Sequence, residues 1–125
     1  MPLVTIQTNA KSVPKDYQSR VFEFFKELFI TPNLGITIET GKDMTFGGSS
    51  DPTVTISILA VARFHPDTNP RLHKAIAEFF STTLNIPVEK TVVVLQRTAP
   101  VNVSFNAKPL PDFLARDRDI EFWQG

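Results

Sequence analysis

Apolar and polar positions follow the spacing of strands and of a helix in the first third of the chain. Residues 3–8 alternate between apolar and polar types over the length of a strand, and residues 36–40 form a second apolar strand segment. Between them, apolar residues recur at helical spacing, and Pro32 ends the helix. Ser12 is the expected N-cap of this helix, with Pro14 in its first turn. The apolar stripe consists of Tyr17, Val21, Phe24, Phe25 and Leu28. The pattern therefore predicts a β-α-β unit over about residues 2–40.

The second half of the chain repeats this order. Residues 53–62 alternate and then become wholly apolar, which predicts a strand that enters the core. The segment "HPDTNP" carries helix-start signals, and residues 91–96 form an apolar strand that we expect to be buried on both faces. The helix between them has an apolar stripe of Leu72, Ile76, Phe79, Phe80 and Leu84. A second β-α-β unit is thus predicted over about residues 53–96.

Two such units predict an α+β fold, an α/β two-layer sandwich in which a four-stranded mixed sheet carries two helices on one face. We expect residues 1–125 to form a single domain, since the length suits one ordinary core. The tail, about residues 100–125, adds predicted short strands at 101–105 and 120–123. It is too short to cover the other sheet face, so self-association is expected to do so.

Composition narrows the function. The 13 basic and 13 acidic residues balance, which disfavours nucleic-acid and membrane partners. The absence of cysteine excludes thiol chemistry, and two histidines are too few for a convincing metal site, so we expect neither metal nor cofactor. No membrane span or signal peptide is visible, which predicts a cytoplasmic protein or one exported without a signal peptide.

Three features together resemble one protein family: the start "PLVTIQTN", the loop "MTFGGSSDP" and the doubled β-α-β plan. They are similar to the tautomerase superfamily, in particular to its macrophage migration inhibitory factor family, over roughly residues 2–106. The resemblance implies a homotrimer with sites at the subunit boundaries. It also implies keto-enol tautomerisation of 2-oxo acids such as phenylpyruvate, with Pro2 as the catalytic base and acid.

The role of Pro2 has a physical basis apart from the resemblance. Removal of Met1 would leave Pro2 with a free secondary amine, whereas a retained methionine would make this nitrogen an amide. An α-amino group ordinarily titrates at roughly 7.7 to 8.0, and burial lowers its pKa. Pro2 at a strand start is also structurally permitted, because proline there loses no ladder hydrogen bond.

The other site residues are carried over by position and depart from the usual pattern of the family. The usual lysine falls near Ile30 or Thr31, of which only Thr31 could offer a hydroxyl, and the usual tyrosine and asparagine fall at Val92 and Val94. The aromatic wall maps to Phe105, with Val103 beside it. A redox-type cysteine pair would fall at Thr53 and Ile56, which excludes thiol oxidoreductase activity. These changes predict a more apolar site with fewer groups for binding a carboxylate.

Two groups remain for substrate binding at the end of "ILAVARF". The backbone around Val61 is expected to offer an amide N–H, and Arg63 is the preferred replacement cation. The other arginines, such as Arg71 and Arg97, are interpreted as surface charges. His65 and His73 are interpreted as a turn residue and a helix-surface residue, and "FGGSSDP" as a turn at a subunit contact. Phe113 and Trp123 are placed against a neighbouring subunit.

Two other functions stay open. Relatives in the superfamily decarboxylate, hydrate or dehalogenate small acids with arginines near the base, and a protonated Pro2 would favour that chemistry. Alternatively, the chain is a cytokine-like protein that binds a receptor and keeps only a vestigial pocket. Loss of the lysine, tyrosine and asparagine positions motivates this last hypothesis.

Overall fold

The computed structural model describes residues 1–110, and its long elements follow the predicted order. The first unit contains strand β1, helix α1 and strand β2, and the second contains β3, α2 and β4; a short hairpin, β5 and β6, follows. Their bounds are β1 Leu3–Thr8, α1 Tyr17–Phe29, β2 Gly35–Glu39, β3 Val54–Val61, α2 Asn69–Leu84, β4 Thr91–Thr98, β5 Ser104–Phe105 and β6 Lys108–Pro109.

The four long strands form one mixed sheet in the order β2-β1-β3-β4. Each unit contributes a parallel pair, β1 with β2 and β3 with β4, and the units join through the antiparallel pair β1 and β3. Leu3 is paired with Leu59 in that register, so the start of β1 lies beside the end of β3. The predicted fold class is confirmed.

One side of the sheet, the helix face, carries both helices and the core. Alternate residues of β1 and β3 are buried there, among them Ile6 and Ile56 at 0% exposure. The two Phe-Phe pairs meet across the helices. Phe24 stacks on Phe79 with ring centroids 4.1 Å apart, and Phe25 and Phe80 are fully buried. The repeated pair in the sequence therefore provides an aromatic contact between the helices of the two units.

The opposite side, the open face, is only partly covered. Because β4 is an edge strand and both described helices lie on the helix face, the prediction that it is buried on both faces is wrong. Val93 and Leu95 pack against the core, whereas Val94 is 45% exposed.

Helix α1 begins later than predicted. It starts at Tyr17 after Asp16, which has left-handed backbone angles, and the carbonyl of Asp16 accepts a hydrogen bond from the amide of Arg20. Ser12 is therefore not the N-cap, and Pro14 precedes the helix. Both helices end on a left-handed residue, Ile30 after α1 and Asn85 after α2.

The C-terminal strands also differ from the prediction. Residues Pro100–Asn102 form a short 3-10 helix, so only Ser104–Phe105 of the expected strand at 101–105 is extended. It pairs with Lys108–Pro109, which the residue pattern did not indicate. The other predicted strand, at 120–123, lies outside the described residues, as do Phe113 and Trp123.

Candidate active site

The chain terminus lies at the end of the sheet where β1 starts. Pro2 is buried, and its carbonyl accepts a hydrogen bond of 3.1 Å from the amide of Gly35 at the start of β2. A Cβ on Gly35 would come within 2.7 Å of the Leu3 side chain, so glycine permits this close pairing. The first residues are thus held firmly between β2 and β3.

A cavity of about 430 Å³ opens beside this terminus. Its walls come from four places in the chain: the terminus itself, the end of α1, the end of β3 and the start of α2. The lining residues are Met1, Leu28, Phe29, Ile30, Val61, Ala62, Arg63, Phe64, His65, Thr68, Arg71 and Leu72. A cavity of this volume suits a small organic acid.

Arg63 is anchored at the wall of this cavity. Its Nη2 donates a hydrogen bond of 2.8 Å to the carbonyl of Phe29, and its guanidinium lies 5.1 Å from the centre of the Phe29 ring. Such contacts fix a delocalised cation without removing its charge. The contacts with Phe29 therefore hold the Arg63 guanidinium at a defined position on the wall of the cavity.

The terminal amine has an altered acidity. Burial lowers the pKa of the Met1 amine from its usual 8.0, and the positive charge of Arg63 lowers it further. Both effects disfavour the ammonium form. The nitrogen at this terminus is therefore more often a neutral base near neutral pH than an ordinary chain terminus is.

His65 is more buried than a turn residue usually is, at 5% exposure. Its carbonyl accepts hydrogen bonds from the amides of Thr68 and Asn69, which begin α2, and its Nδ1 lies 3.4 Å from Nη1 of Arg97. His65 thus begins the turn before α2, as predicted, and it also lines the cavity, which the sequence did not indicate. Arg97 is half-buried rather than an exposed surface charge.

The structure brings some of the predicted site residues together and leaves others apart. Val61 and Arg63 line the cavity together with Met1, whereas Pro2, the next residue, is buried and is not one of the lining residues. Thr31 follows Ile30, but its Oγ1 accepts a hydrogen bond of 3.1 Å from the Asn33 amide, and it does not line the cavity.

The remaining predicted residues lie elsewhere in a single chain. Val92 and Val94 are on β4, and Phe105, 58% exposed, follows Val103 in the C-terminal segment; none of them lines the cavity. Sequence reasoning missed Phe29 and Thr68, and it named Ile30 only as a position near which the family's usual lysine falls. Arg71 is exposed, as its interpretation as a surface charge predicts, but it also lines the cavity. Within an apolar stripe or a cap, these residues carry no signal that they line a cavity.

Residues 1–110 contain no cluster of three or more histidine and carboxylate side chains able to hold a metal ion. Within the same residues, neither helix has the length and apolarity to span a bilayer.

Comparison with known proteins gives one consistent family. Residues 1–110 match the family model described as macrophage migration inhibitory factor (MIF). The MIF-like protein mif-2 of Caenorhabditis elegans is 30% identical over 110 residues, 85% of this chain and 92% of that protein. The macrophage migration inhibitory factor of Xenopus tropicalis is 26% identical over 110 residues, covering 85% and 96%.

Solved structures agree on the fold. The macrophage migration inhibitory factor of Oncomelania hupensis superposes with a TM-score of 0.86 at 24% identity, over 98% of this chain and 91% of that one. The protein from Trichinella spiralis gives a TM-score of 0.80 at 21% identity, over 86% and 99%.

Proposed function

The chain belongs to the macrophage migration inhibitory factor family, and from that premise we propose that it is a keto-enol tautomerase of phenylpyruvate-like 2-oxo acids. In this proposal Met1 is removed and Pro2 acts as general base and general acid. Membership of the family supports isomerase activity in general. The substrate and the catalytic residue are the proposed parts, and the experiments below test them.

The observation that carries the proposal is the placement of the terminal amine. The amine borders a cavity, and its pKa is lowered by burial and by Arg63. Removal of Met1 would place the secondary amine of Pro2 at the start of β1, beside the same cavity. A base with a pKa near the working pH accelerates proton transfer by about 100- to 10,000-fold.

The proposed reaction moves one proton and needs no cofactor. The neutral Pro2 nitrogen removes the enol hydroxyl proton, and the enolate electrons shift so that C3 becomes nucleophilic. The Pro2 ammonium then donates a proton to C3, which forms the ketone and regenerates the amine. Arg63 attracts the substrate carboxylate, and the Val61 backbone N–H is the expected donor to the substrate.

A homotrimer is part of this proposal. The open face leaves Leu3 44% and Val94 45% exposed on a sheet that the described chain does not cover. A second and a third copy would bury this surface, since closed cyclic assemblies are the usual way in which identical chains cover an apolar face. Sites at the boundaries would bring Val92, Val94 and Phe105 of one copy toward the cavity of another.

The test is ketonisation of phenylpyruvate, followed by ultraviolet absorbance, with protein whose Met1 removal is verified by mass spectrometry. We expect Pro2→Ala to lower kcat/KM, because it replaces the rigid secondary amine with a flexible primary amine, by at most the about 100- to 10,000-fold of a lost general base. Pro52→Ala is the matched control, because Pro52 is exposed in the central loop. Equal rates for Pro2→Ala and the unaltered protein would refute the proposal.

A second candidate keeps Pro2 but changes the reaction. Arg63 and Arg71 both line the cavity, and arginines near the base suit decarboxylation, hydration or dehalogenation of small acids. That chemistry needs a protonated Pro2 amine, whereas burial and Arg63 lower the pKa of the Met1 amine that occupies the terminus in this structure. A pH profile in which activity is lost as the amine loses its proton would favour this candidate over tautomerisation.

A receptor-binding role is the third candidate. Apolar residues at Val92 and Val94 favour it, because they leave the proposed pocket with fewer polar groups. Negligible turnover of phenylpyruvate, together with receptor binding that Pro2→Ala leaves unchanged, would support this role.

A further inference from the structure

The two helices end in the same backbone conformation but on very different residues. Ile30 caps α1 with φ 55° and ψ 48°, and Asn85 caps α2 with φ 55° and ψ 46°. In each cap the backbone amide donates to the carbonyl four residues earlier, that of Lys26 or that of Ser81. Asparagine tolerates the left-handed region, whereas a β-branched residue there is a genuine outlier.

Packing of the side chain does not explain why isoleucine occupies the cap of α1 at position 30. Its side chain is 89% exposed, so burial of apolar surface stabilises it little. Exposure and a left-handed backbone are both unfavourable for this residue type, and glycine or asparagine would avoid both costs. What distinguishes Ile30 from Asn85 is its location, because only Ile30 lines the cavity beside the terminus.

Unfavourable backbone conformations are concentrated at this cavity. Among residues 1–110, the left-handed positions that are neither glycine nor a tolerant Asp or Asn are Ile30, Ala62, Phe64 and Ala107. The first three of these line the cavity. Strain of this kind persists where the surrounding structure enforces it, and it clusters at binding and catalytic sites.

The neighbours of Ile30 hold it in place. The carbonyl of Phe29 accepts the hydrogen bond from Arg63, and the amide of Thr31 donates to the carbonyl of Lys26 at 3.3 Å. With both flanking residues bound and a β-branched side chain that rotates little about χ1, Ile30 presents its apolar atoms in a fixed direction. An anchored cation and a stiff apolar group thus border one cavity.

We propose that Ile30 is a specificity-determining residue that contacts the apolar group of a ligand whose carboxylate faces Arg63. The ligand class is a carboxylic acid with an aromatic or bulky aliphatic substituent. The inference rests on the proposed function for its substrate, and it extends that function by assigning the selection of the substituent to the cap of α1.

The test separates binding from stability. Ile30→Asn places in α1 the residue that caps α2, so we expect the melting temperature to rise by a few degrees. We expect KM for phenylpyruvate, and Kd for the unreactive 3-phenylpropanoate, to rise about tenfold, as for one lost apolar contact. Kd for propanoate, which lacks the ring, should stay within about twofold.

Two variants serve as controls. Ile30→Leu keeps the apolar contact and should retain KM within about threefold. Asn85→Ile makes the reverse change at the equivalent cap away from the cavity, and should lower the melting temperature without altering KM or Kd.

Each outcome decides the proposal. An Ile30→Asn protein that binds 3-phenylpropanoate as tightly as the unaltered chain would overturn it, and so would a loss of binding accompanied by a lower melting temperature. If the unaltered chain shows no Pro2-dependent ketonisation, the proposed function fails, while the ratio of the two Kd values still confirms or refutes the role of Ile30.

Discussion

The two ends of the sheet are built from equivalent parts of the two β-α-β units, yet one borders the candidate cavity and the other is bridged by side-chain hydrogen bonds. Because β1 and β3 are antiparallel, each end joins the start of one unit's first strand to the end of the other's. We call them the cavity end, with Met1, Pro2, Ile30 and residues 61–65, and the closed end, with Thr8, Asn9, Thr53 and Asn85.

Side-chain hydrogen bonds connect the strands and loops at the closed end. The Thr8 hydroxyl donates to the Thr53 carbonyl at 2.7 Å, and the Thr53 hydroxyl donates to the Lys90 carbonyl at 2.7 Å. The Thr53 amide donates to Oδ1 of Asn9 at 2.9 Å. The cavity end instead has an amine, an arginine and left-handed residues of unfavourable type. The duplicated fold thus allows one end to supply stability while the other provides the candidate site.

Among the substitutions at the two ends, we expect Asn9→Ala at the closed end to have the largest effect on stability. The Asn9 amide nitrogen donates to three carbonyls of the central loop, of Met44, Ser50 and Asp51, at 3.0–3.3 Å. Its loss also leaves the Thr53 amide unpaired, so we expect the free energy of unfolding to fall by about 2–3 kcal/mol. Urea denaturation at fixed protein concentration measures this change.

Asn102→Ala is the matched control, since Asn102 is exposed and only its backbone amide donates a hydrogen bond. It should change the free energy of unfolding by less than about 0.5 kcal/mol. A similar stability for Asn9→Ala and Asn102→Ala would show that the closed end does not supply stability as described.

A smaller loss is expected from Thr53→Val. This change keeps the shape of a residue that is 1% exposed but removes the hydroxyl that donates to Lys90. The expected destabilisation is about 1–2 kcal/mol, because the Lys90 carbonyl loses this partly buried hydrogen bond, and phenylpyruvate turnover should be unchanged. Thr37→Val, on an exposed position of β2, is the comparison variant, and an equal loss there would contradict this prediction.

The smallest expected effect is on the pKa of the terminal amine at the cavity end. Arg63 is the second cause, after burial, of the lowered pKa of the Met1 amine. We expect the same cation to act on the Pro2 amine once Met1 is removed, so Arg63→Gln should raise the pKa of that amine, while Arg63→Lys should not. The rising limb of kcat/KM against pH then moves to higher pH in Arg63→Gln. An unmoved limb would exclude Arg63 as a cause.

The same shift has a consequence for stability. Folding lowers the pKa of the Met1 amine. In a chain that keeps Met1, the unfolded state therefore binds more protons than the folded state at pH values between the folded pKa and 8.0. The free energy of unfolding therefore rises with pH through that window, and the unfavourable contribution of the amine is fully present only below the folded pKa. In Arg63→Gln this pH range is narrower, because the pKa of the amine in the folded state lies closer to 8.0.

Most of the fold could be predicted from the residue pattern. Periodicity and proline placement determined four long strands, two helices and their order, because these are local properties of short segments. The start of α1 and the hairpin of β5 and β6 were not predicted. Asp16 adopts left-handed angles, and strands of two residues carry no period to detect.

The sequence by itself also determined the family, through the second-position proline, the "FGGSSDP" loop and the doubled unit. Only the tertiary structure decided which residues border the terminus. Phe29, Ile30 and Arg71 meet there from separate elements, and the left-handed conformation of Ile30 opposes its residue type. Long-range packing enforces both, and no local pattern encodes it.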